Sequence, residues 1–352
     1  MLGQHLLAFT SLFAVLAGGQ SLLTVLEDNG FTEYAALIRG DPFLEAASDL
    51  IVYAPTNAAL VANNGSLTRR ATDEDLKKTR ARFGAVNRSA PRPQEPPTRS
   101  PPVVNGTRRV RHRDELVPSG SAFVTLLDDP EFVNLGPGIN QSIVEKRAVS
   151  SELPVVFAGL GAAVRVMGDD IPFDKGVIRP TNGLPTLPQT ASKTLRFLGI
   201  DRFLDALNQT GLLAELDAQK GPITILAPDD NAFKNRTFTH DQLTALVKQH
   251  ILVDYFAYTP LLRNGQVYPT LGGGQVVVSV DTKGAVYLGG APILAGDAII
   301  TNGAIHTIGK VLGAPASPPP PVTGGANSMM VQSWMTLAVS AVGIMVAAGY
   351  FT

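Results

Sequence analysis

Residues 221–233, GPITILAPDDNAF, are the stretch from which the fold can be predicted. An apolar run over 223–227 lies between a Gly-Pro pair and Pro228, which is typical of a short buried strand. Proline cannot donate to a sheet ladder, so the strand is expected to end at Pro228. The next three residues, Asp-Asp-Asn, offer side-chain oxygens to the free N–H groups of a helix start. The stretch therefore predicts a strand, a proline and a capped helix in succession.

A weaker copy of this stretch lies upstream at residues 50–60, LIVYAPTNAAL. It has the same apolar run and the same Ala-Pro pair, and Thr56 and Asn57 follow as cap candidates. A strand–proline–cap–helix unit that occurs twice suggests one domain that has been duplicated.

The same residues carry a family resemblance. Residues 224–233 resemble the first signature box of the fasciclin domain, and residues 297–312, DAIITNGAIHTIGKVL, resemble its second box. Arg179 stands in the first copy where the later copy has His306. The resemblance implies a structural or adhesion role for a set of motif residues: Thr224, Pro228, Asp229, Asn231, Phe233, His250, Asn302, Gly303 and His306.

The order of predicted elements indicates an α+β fold. In each half, helical periodicity is followed by many short strands, which predicts a small β core with helices packed to one side. The resemblance makes these two fasciclin-like domains. We expect a divergent first domain over 20–188 and a second domain over 189–313. Residues 62–117 are rich in Arg, Pro, Ser and Thr, and they predict a disordered basic insertion in the first domain.

Both ends of the chain predict export and anchoring. Residues 1–19 have the apolar core and small residues of a signal peptide. Residues 314–326 form a Pro-rich stalk with an attachment region. Residues 327–352 form an apolar tail with no charged flank, typical of a cleaved glycosylphosphatidylinositol (GPI) signal. The candidate attachment residues are Gly324, Gly325 and Asn327. A retained terminal helix is the alternative.

Six N-x-S/T sequons predict glycosylation of an exported chain. They are Asn64, Asn87, Asn105, Asn140, Asn208 and Asn235.

Composition and motifs argue against a catalytic or metal-binding site. The net charge is −1 and cysteine is absent, which gives no indication of nucleic-acid binding, a thiolate nucleophile or a thiolate metal site. The histidines lack the spacing of metal ligands. His250 and His306 are expected to be buried neutral groups, and the pair Asp229-Asp230 is expected to cap a helix. We therefore predict no catalytic residue, no cofactor and no metal.

The resemblance implies a non-enzymatic cell-surface protein for adhesion or wall organisation, similar to fungal GPI-anchored fasciclin proteins. The expected partners are surface or wall glycans and proteins, including a second copy of this chain, and the membrane through the lipid anchor. Two alternatives stay open. One is a small-ligand carrier with an apolar pocket in the second domain, and the other is a membrane-retained carbohydrate-active enzyme with converging carboxylates.

Overall fold

The computed structural model describes residues 19–63, 73–91, 120–147, 153–234, 236–282 and 284–313. These residues belong to one compact unit. The predicted signal peptide, apart from Gly19, lies outside the described residues, as do the stalk, the tail and the candidate attachment residues. None of the helices in the described ranges has the length and hydrophobicity to cross a membrane.

Short capped helices open the first half of the chain, residues 19–188. Ser21 caps the first helix by accepting a hydrogen bond from the Thr24 N–H, and Asp41 caps the third in the same way. The elements up to the first hairpin are α1 (Leu22–Asp28), α2 (Thr32–Ile38), α3 (Pro42–Ala46), β1 (Leu50–Pro55), α4 (Asn57–Asn63), α5 (Asp73–Phe83) and β2 (Ala85–Asn87).

Six further strands complete the first half. They are β3 (Gly120–Val124), β4 (Ser142–Lys146), β5 (Val155–Phe157), β6 (Ala163–Arg165), β7 (Ile171–Phe173) and β8 (Gly176–Thr181). One sheet has the order β2-β1-β8-β7 and the other is the antiparallel meander β3-β4-β5-β6. Within the first sheet, β1 and β8 run parallel.

The second half, residues 189–313, begins with three helices and continues as one large sheet of order β10-β9-β15-β14-β13-β12-β11. Its helices are α6 (Ala191–Phe197), α7 (Asp201–Gln209), α8 (Leu212–Ala218) and α9 (His240–Gln249), with a 3₁₀ turn at Thr259–Leu261. Its strands are β9 (Ile223–Pro228), β10 (Ile251–Val253), β11 (Val267–Pro269), β12 (Gln275–Val280), β13 (Val286–Leu288), β14 (Ala291–Ile300) and β15 (Gly303–Ile308).

The two halves share strand pairing and register. In the first half Leu50 pairs with Gly176 and Pro55 with Thr181, in parallel. In the second half Ile223 pairs with Gly303 and Pro228 with Ile308, again in parallel and over the same six positions. The antiparallel neighbours β2 and β10 match as well. This common register assigns every residue near the central strands a counterpart in the other half, and the α+β fold is as predicted.

Two local predictions are wrong. After Pro228 the chain forms hydrogen-bonded turns over residues 230–234 rather than a helix. Within the predicted insertion 62–117, α5 and β2 are ordered, and Phe83 and Val86 are fully buried. Average composition concealed them because a few apolar side chains among many basic ones are enough to cover one side of a sheet. Residues 64–72 and 92–117 of that prediction lie outside the described part.

Four apolar clusters form the interior of the described residues. The first lies between the helices and the sheet of the first half, and the second lies between the helices and the sheet of the second half. A third fills the space behind the large sheet. The fourth joins the halves, because Phe256, Tyr258 and Ile299 of the second half pack with Tyr53 and Ile143 of the first. The two halves therefore bury apolar surface against each other as well as within themselves.

Candidate functional site

His250 links the end of a helix to the end of the domain. It is the C-cap residue of α9, one position beyond the helix, and its side chain is fully buried beside the Phe203 ring. Its Nε2 accepts a 2.9 Å hydrogen bond from the Leu312 N–H, so the proton lies on Nδ1, which donates to the Leu246 carbonyl at 2.8 Å. Burial lowers the pKa of His250 to about 4. Both ring nitrogens are used by the backbone, so neither is available for a substrate or a metal.

His306 makes a matching bridge on β15. Its Nδ1 accepts a 3.0 Å hydrogen bond from the Asp297 N–H, so Nε2 carries the proton and donates to the Ala257 carbonyl at 2.8 Å. The side chain is fully buried, and burial lowers its pKa below the ordinary value. The imidazole joins β14 to the segment after β10 through hydrogen bonds to the backbone, so its role is structural.

Asp297 is a fully buried carboxylate that joins the two halves. Its Oδ2 accepts a 2.9 Å bond from the Lys146 ammonium on β4 and a second from the Thr259 hydroxyl, and its Oδ1 accepts the Thr259 N–H at 2.9 Å. Burial raises the pKa of this carboxyl, but the Lys146 charge, His306 and the hydrogen bonds from Lys146 and Thr259 together outweigh it, so the pKa lies below its ordinary value. The Lys146 ammonium also lies 3.7 Å from the Phe157 ring centre. A dry ion pair in this position fixes one half against the other.

In the first half, the counterparts of His306 and Asp297 are Arg179 and Asp170. The common register places Arg179 opposite Tyr53 as it places His306 opposite Leu226. The guanidinium forms a fork with the Asp170 carboxylate and also contacts Glu145. An arginine that is matched by two carboxylates again holds strands together.

The counterpart of His250 is Gly84, and that of Leu312 is Pro185. Proline has no N–H to donate, so an imidazole at position 84 would find no donor there. Arg80 fastens the segment instead, with Nε donating to the Pro185 carbonyl at 2.9 Å and Nη2 to the Leu184 carbonyl at 2.6 Å. In the first half, Arg80 thus holds the segment that corresponds to the one His250 holds in the second half.

The other buried motif residues also serve the backbone. The hydroxyl of Thr224 accepts the Ala257 N–H and donates to the Tyr255 carbonyl. The Asn302 amide donates to the Leu216 and Gln219 carbonyls at the end of α8. Gly303 has φ +151°, and a Cβ there would lie 1.8 Å from the Ile223 carbonyl oxygen. These positions shape the turn and the parallel contact between β9 and β15.

The residues after β9 stabilise the turn that follows it. The Asp229 side chain accepts the Ala232 N–H at 2.9 Å, and the Thr56 hydroxyl accepts the Ala59 N–H in the same way. Phe233 is buried with its ring 6.3 Å from that of Phe203. Pro228 ends β9, and Asn231 is exposed. Asp229 therefore stabilises a turn, whereas the Asp230 Oδ1 accepts the Arg202 N–H at 3.0 Å in the first turn of α7, an earlier helix.

Three predicted sequons lie in the described part. Asn208 is exposed on α7. Asn87 is half-buried at the end of β2, and its Oδ1 accepts the Ser89 N–H. Asn140 is half-buried, and its side-chain nitrogen donates to the Thr125 carbonyl at 2.9 Å. The other three, Asn64, Asn105 and Asn235, lie outside the described residues.

The described residues give no indication of reactive chemistry. Among them, no group of three His, Asp or Glu side chains is placed to hold a metal ion. His250, His306 and Asp297, whose pKa values are shifted, already have hydrogen-bond partners within the fold. Sequence reasoning identified both histidines but missed the roles of Asp297, Lys146 and Arg80. The signal for Asp297 was present, since both copies of the second box begin with an aspartate, whereas nothing in the sequence indicated that Lys146 would meet it.

Comparison with known proteins supports the resemblance. Residues 199–315 match the family model described as Fasciclin domain. Fasciclin-like arabinogalactan protein elcF of Phaeosphaeria nodorum is 26% identical over 202 residues, which cover 56% of this chain and 63% of that protein. Fasciclin-like arabinogalactan protein CTB11 of Cercospora beticola is 28% identical over 193 residues, covering 53% of this chain and 51% of that protein. The chain thus spans about half to just under two thirds of these relatives.

A solved structure of a FAS1 domain pair from the insect cell adhesion molecule fasciclin I is also similar, at 15% identity and a TM-score of 0.36. The match covers 81% of this chain and 97% of that one. The family-model match lies in the second half, and the two segments that resemble the signature boxes, residues 224–233 and 297–312, both fall within it.

Proposed function

We propose that this chain, with its fasciclin domain at residues 199–315, is an exported, non-enzymatic surface protein that works by adhesion. The observation that carries the proposal is the use of its polar motif residues. His250, His306 and Asp297 are buried, and each has its hydrogen-bonding capacity taken by the backbone or by Lys146. Side chains committed in this way stabilise a scaffold, and the outer surface is left to bind.

The composition of residues 1–19 and 327–352 supports the proposed location. An apolar leader over residues 1–19 and an apolar tail over 327–352 support export and a lipid anchor, with a Pro-rich stalk that holds the folded part away from the membrane. Surface or wall glycans and proteins are the partners that this placement favours, and a second copy of the chain is among them.

The two alternatives have less support. A carbohydrate-active enzyme needs two carboxyl groups on opposite sides of a sugar. The buried carboxylate of Asp297 instead faces Lys146 and Thr259 of its own chain. A ligand carrier was expected to have an apolar pocket in the second domain, whereas a cavity of about 330 Å³ among the described residues lies in the first half.

Anchoring is tested by phospholipase treatment of intact cells, followed by mass spectrometry of the released C-terminus. We expect a chain that ends at Gly324, Gly325 or Asn327 with the anchor remnant. A released chain that still contains residues 334–351 contradicts the anchor.

Adhesion is tested with cells that produce the whole chain and matched cells that lack it. We expect the producing cells to attach to one another or to wall material in greater number. Equal attachment of the two populations contradicts adhesion but leaves the anchor intact.

A further inference from the structure

A loop of the first half covers one surface of the second half. The loop between β3 and β4, residues 125–141, reaches the end of α8 and the turn between β14 and β15. The Asn134 N–H donates to the Thr301 carbonyl at 2.7 Å, and its side-chain amide donates to the Gln219 carbonyl at 3.1 Å. The Gln141 amide donates to the Ile300 carbonyl at 2.8 Å. The covered surface therefore offers backbone carbonyls to a polar loop.

The first half has the same surface, and no loop of the described residues lies on it. By the common register, Asp174 is the counterpart of Thr301. The Asp174 N–H donates to the Gln20 carbonyl at 3.0 Å, and the Thr301 N–H donates to the Gln189 carbonyl at 3.1 Å. Lys175 is the counterpart of Asn302, and both side chains donate to carbonyls at the end of the third helix of their half. In the described residues, no group donates to the Asp174 carbonyl, which is the place that Asn134 takes in the other half.

A cavity of about 330 Å³ occupies this surface. Apolar side chains of α1, α2, α3 and β7 form its walls, and Glu45, Asp174 and Lys175 form its rim. Three residues of the lining, Glu45, Phe173 and Asp174, are the counterparts of Ala218, Ile300 and Thr301, all of which the covering loop contacts in the second half. Among the described residues, the cavity is thus the uncovered form of a surface that the same chain covers in its second half.

We propose that this cavity binds an irregular polypeptide loop of a partner protein, one that presents a free main-chain N–H and a carboxamide side chain beside apolar residues. The N–H would reach the Asp174 carbonyl, and the carboxamide would reach the carbonyls at the end of α3. The second half cannot supply such a loop from another copy, because its own connection between β11 and β12 is only residues 270–274. The β3–β4 loop of another copy is already bonded to the second half of its own chain, so the partner is a separate protein with a loop of that type.

This inference rests on the proposed binding function and names a partner chemistry for it. Because the test uses purified chain, its failure is distinguishable from a failure of the cell-adhesion test. The probe is a fluorescent peptide of residues 128–141, DDPEFVNLGPGINQ, which carries the chemistry that covers the second half. Its matched control is the same peptide with Asn134→Ala.

We expect saturable 1:1 binding of the peptide to the full chain at up to about 1 mM, and binding at least about tenfold weaker for the Asn134→Ala peptide. The chain variant Leu23→Glu, which places a charge in the cavity wall, is expected to lose binding, whereas Leu294→Glu on the exposed face of the second half is expected to retain it. The thermal unfolding midpoint is measured for both variants.

Four results overturn the proposal. The first is absence of saturable binding. The second is equal binding of both peptides, a comparison that stands even if Leu23→Glu fails to fold. The third is binding that Leu23→Glu leaves unchanged, which would mean that the peptide displaces the loop from the second half. Dimerisation of the chain through this cavity, abolished by Leu23→Glu, would make a second copy the occupant and would also overturn the proposal.

Discussion

His250 and Leu312 are joined by a 2.9 Å hydrogen bond in which the Leu312 N–H donates to Nε2 of a fully buried imidazole. The bond spans 62 residues of sequence and holds the last residues of the domain against the end of α9. At the same two positions in the first half, Gly84 and Pro185 have neither the acceptor nor the donor. Acceptor and donor are thus present together in one half and absent together in the other, which indicates that the histidine serves this hydrogen bond and not a reaction.

The stability of the protein is expected to fall as the pH drops from about 6.5 towards 4. The unfolded chain takes up a proton on His250 near its ordinary pKa, whereas the folded protein resists protonation until its pKa of about 4. Stability from this group is therefore complete above pH 6.5 and is lost on acidification. Between pH 6.5 and 5 the loss is about 2 kcal/mol from His250, and the lowered pKa of His306 acts in the same direction.

Denaturant unfolding at pH 6.5 and 5 measures this effect, and few carboxyl groups with ordinary pKa values titrate in that window. The control variant His250→Gln has no titrating ring and is expected to show a smaller difference between the two pH values. Equal stability of the unaltered protein at both pH values contradicts the buried neutral histidine.

Replacement of Gly303 by alanine is expected to destabilise the protein by about 3 kcal/mol or more, because the new Cβ meets the Ile223 carbonyl oxygen and the backbone has φ +151°. Gly168→Ala is the control, since a Cβ there has no neighbour within 4 Å. Its free energy of unfolding is expected to change by less than about 0.5 kcal/mol. Equal effects of the two substitutions would show that β9 and β15 do not lie as close as described.

Removal of one partner of the Lys146–Asp297 ion pair is expected to lower the free energy of unfolding strongly. Lys146→Met leaves the Asp297 carboxylate buried without its cation, and the expected loss of unfolding free energy is about 3–5 kcal/mol. Lys146→Met with Asp297→Asn removes both charges and is expected to lose less than the single variant.

The control for the ion pair is Arg39→Met, which breaks a contact with Glu27 whose two side chains are 61% and 45% exposed. Its expected effect is below about 1 kcal/mol. If Lys146→Met lowers the free energy of unfolding as little as Arg39→Met does, the Asp297 carboxylate is accessible to water, and the two halves are packed less closely than described.

Use of the sequons is expected to follow exposure. Asn208 is exposed on α7, and we predict that it carries a glycan. Asn140 is half-buried with its side-chain nitrogen bonded to the Thr125 carbonyl, so we predict that it stays unmodified once the chain has folded. Glycopeptide mass spectrometry of the exported protein measures both sites, with Asn208→Gln and Asn140→Gln as the pair of variants. A glycan on Asn140 together with a bare Asn208 would be the reverse of this expectation.

The central strands were predictable because the signals are local. Prolines and glycines mark the ends of β9 and the turn between β14 and β15, and the apolar runs between them indicate burial. The correspondence of Arg179 with His306 was also predictable, since the second box occurs twice, and the structure places the two residues at matching register positions.

The features that could not be predicted from the sequence depend on contacts between residues that are distant in sequence. Helix α5 has a basic composition that resembles a disordered segment, and only the sheet it covers shows that Phe83 is a core residue. The pairing of Lys146 with Asp297 joins residues 151 positions apart, and no local pattern predicts it. After Pro228, three polar residues of the capping type were not enough to begin a helix, because the chain closes into turns that the Asp229 side chain stabilises.

The central claim, that the fold serves adhesion, is tested most directly by attachment of beads coated with the glycosylated whole chain to cells and to one another. Beads that carry a heat-denatured sample of the same chain provide the background. We predict clusters or attached beads well above that background, in number that depends on coating density. Beads that stay dispersed and unattached at every density, pH and ionic strength tried would contradict the claim.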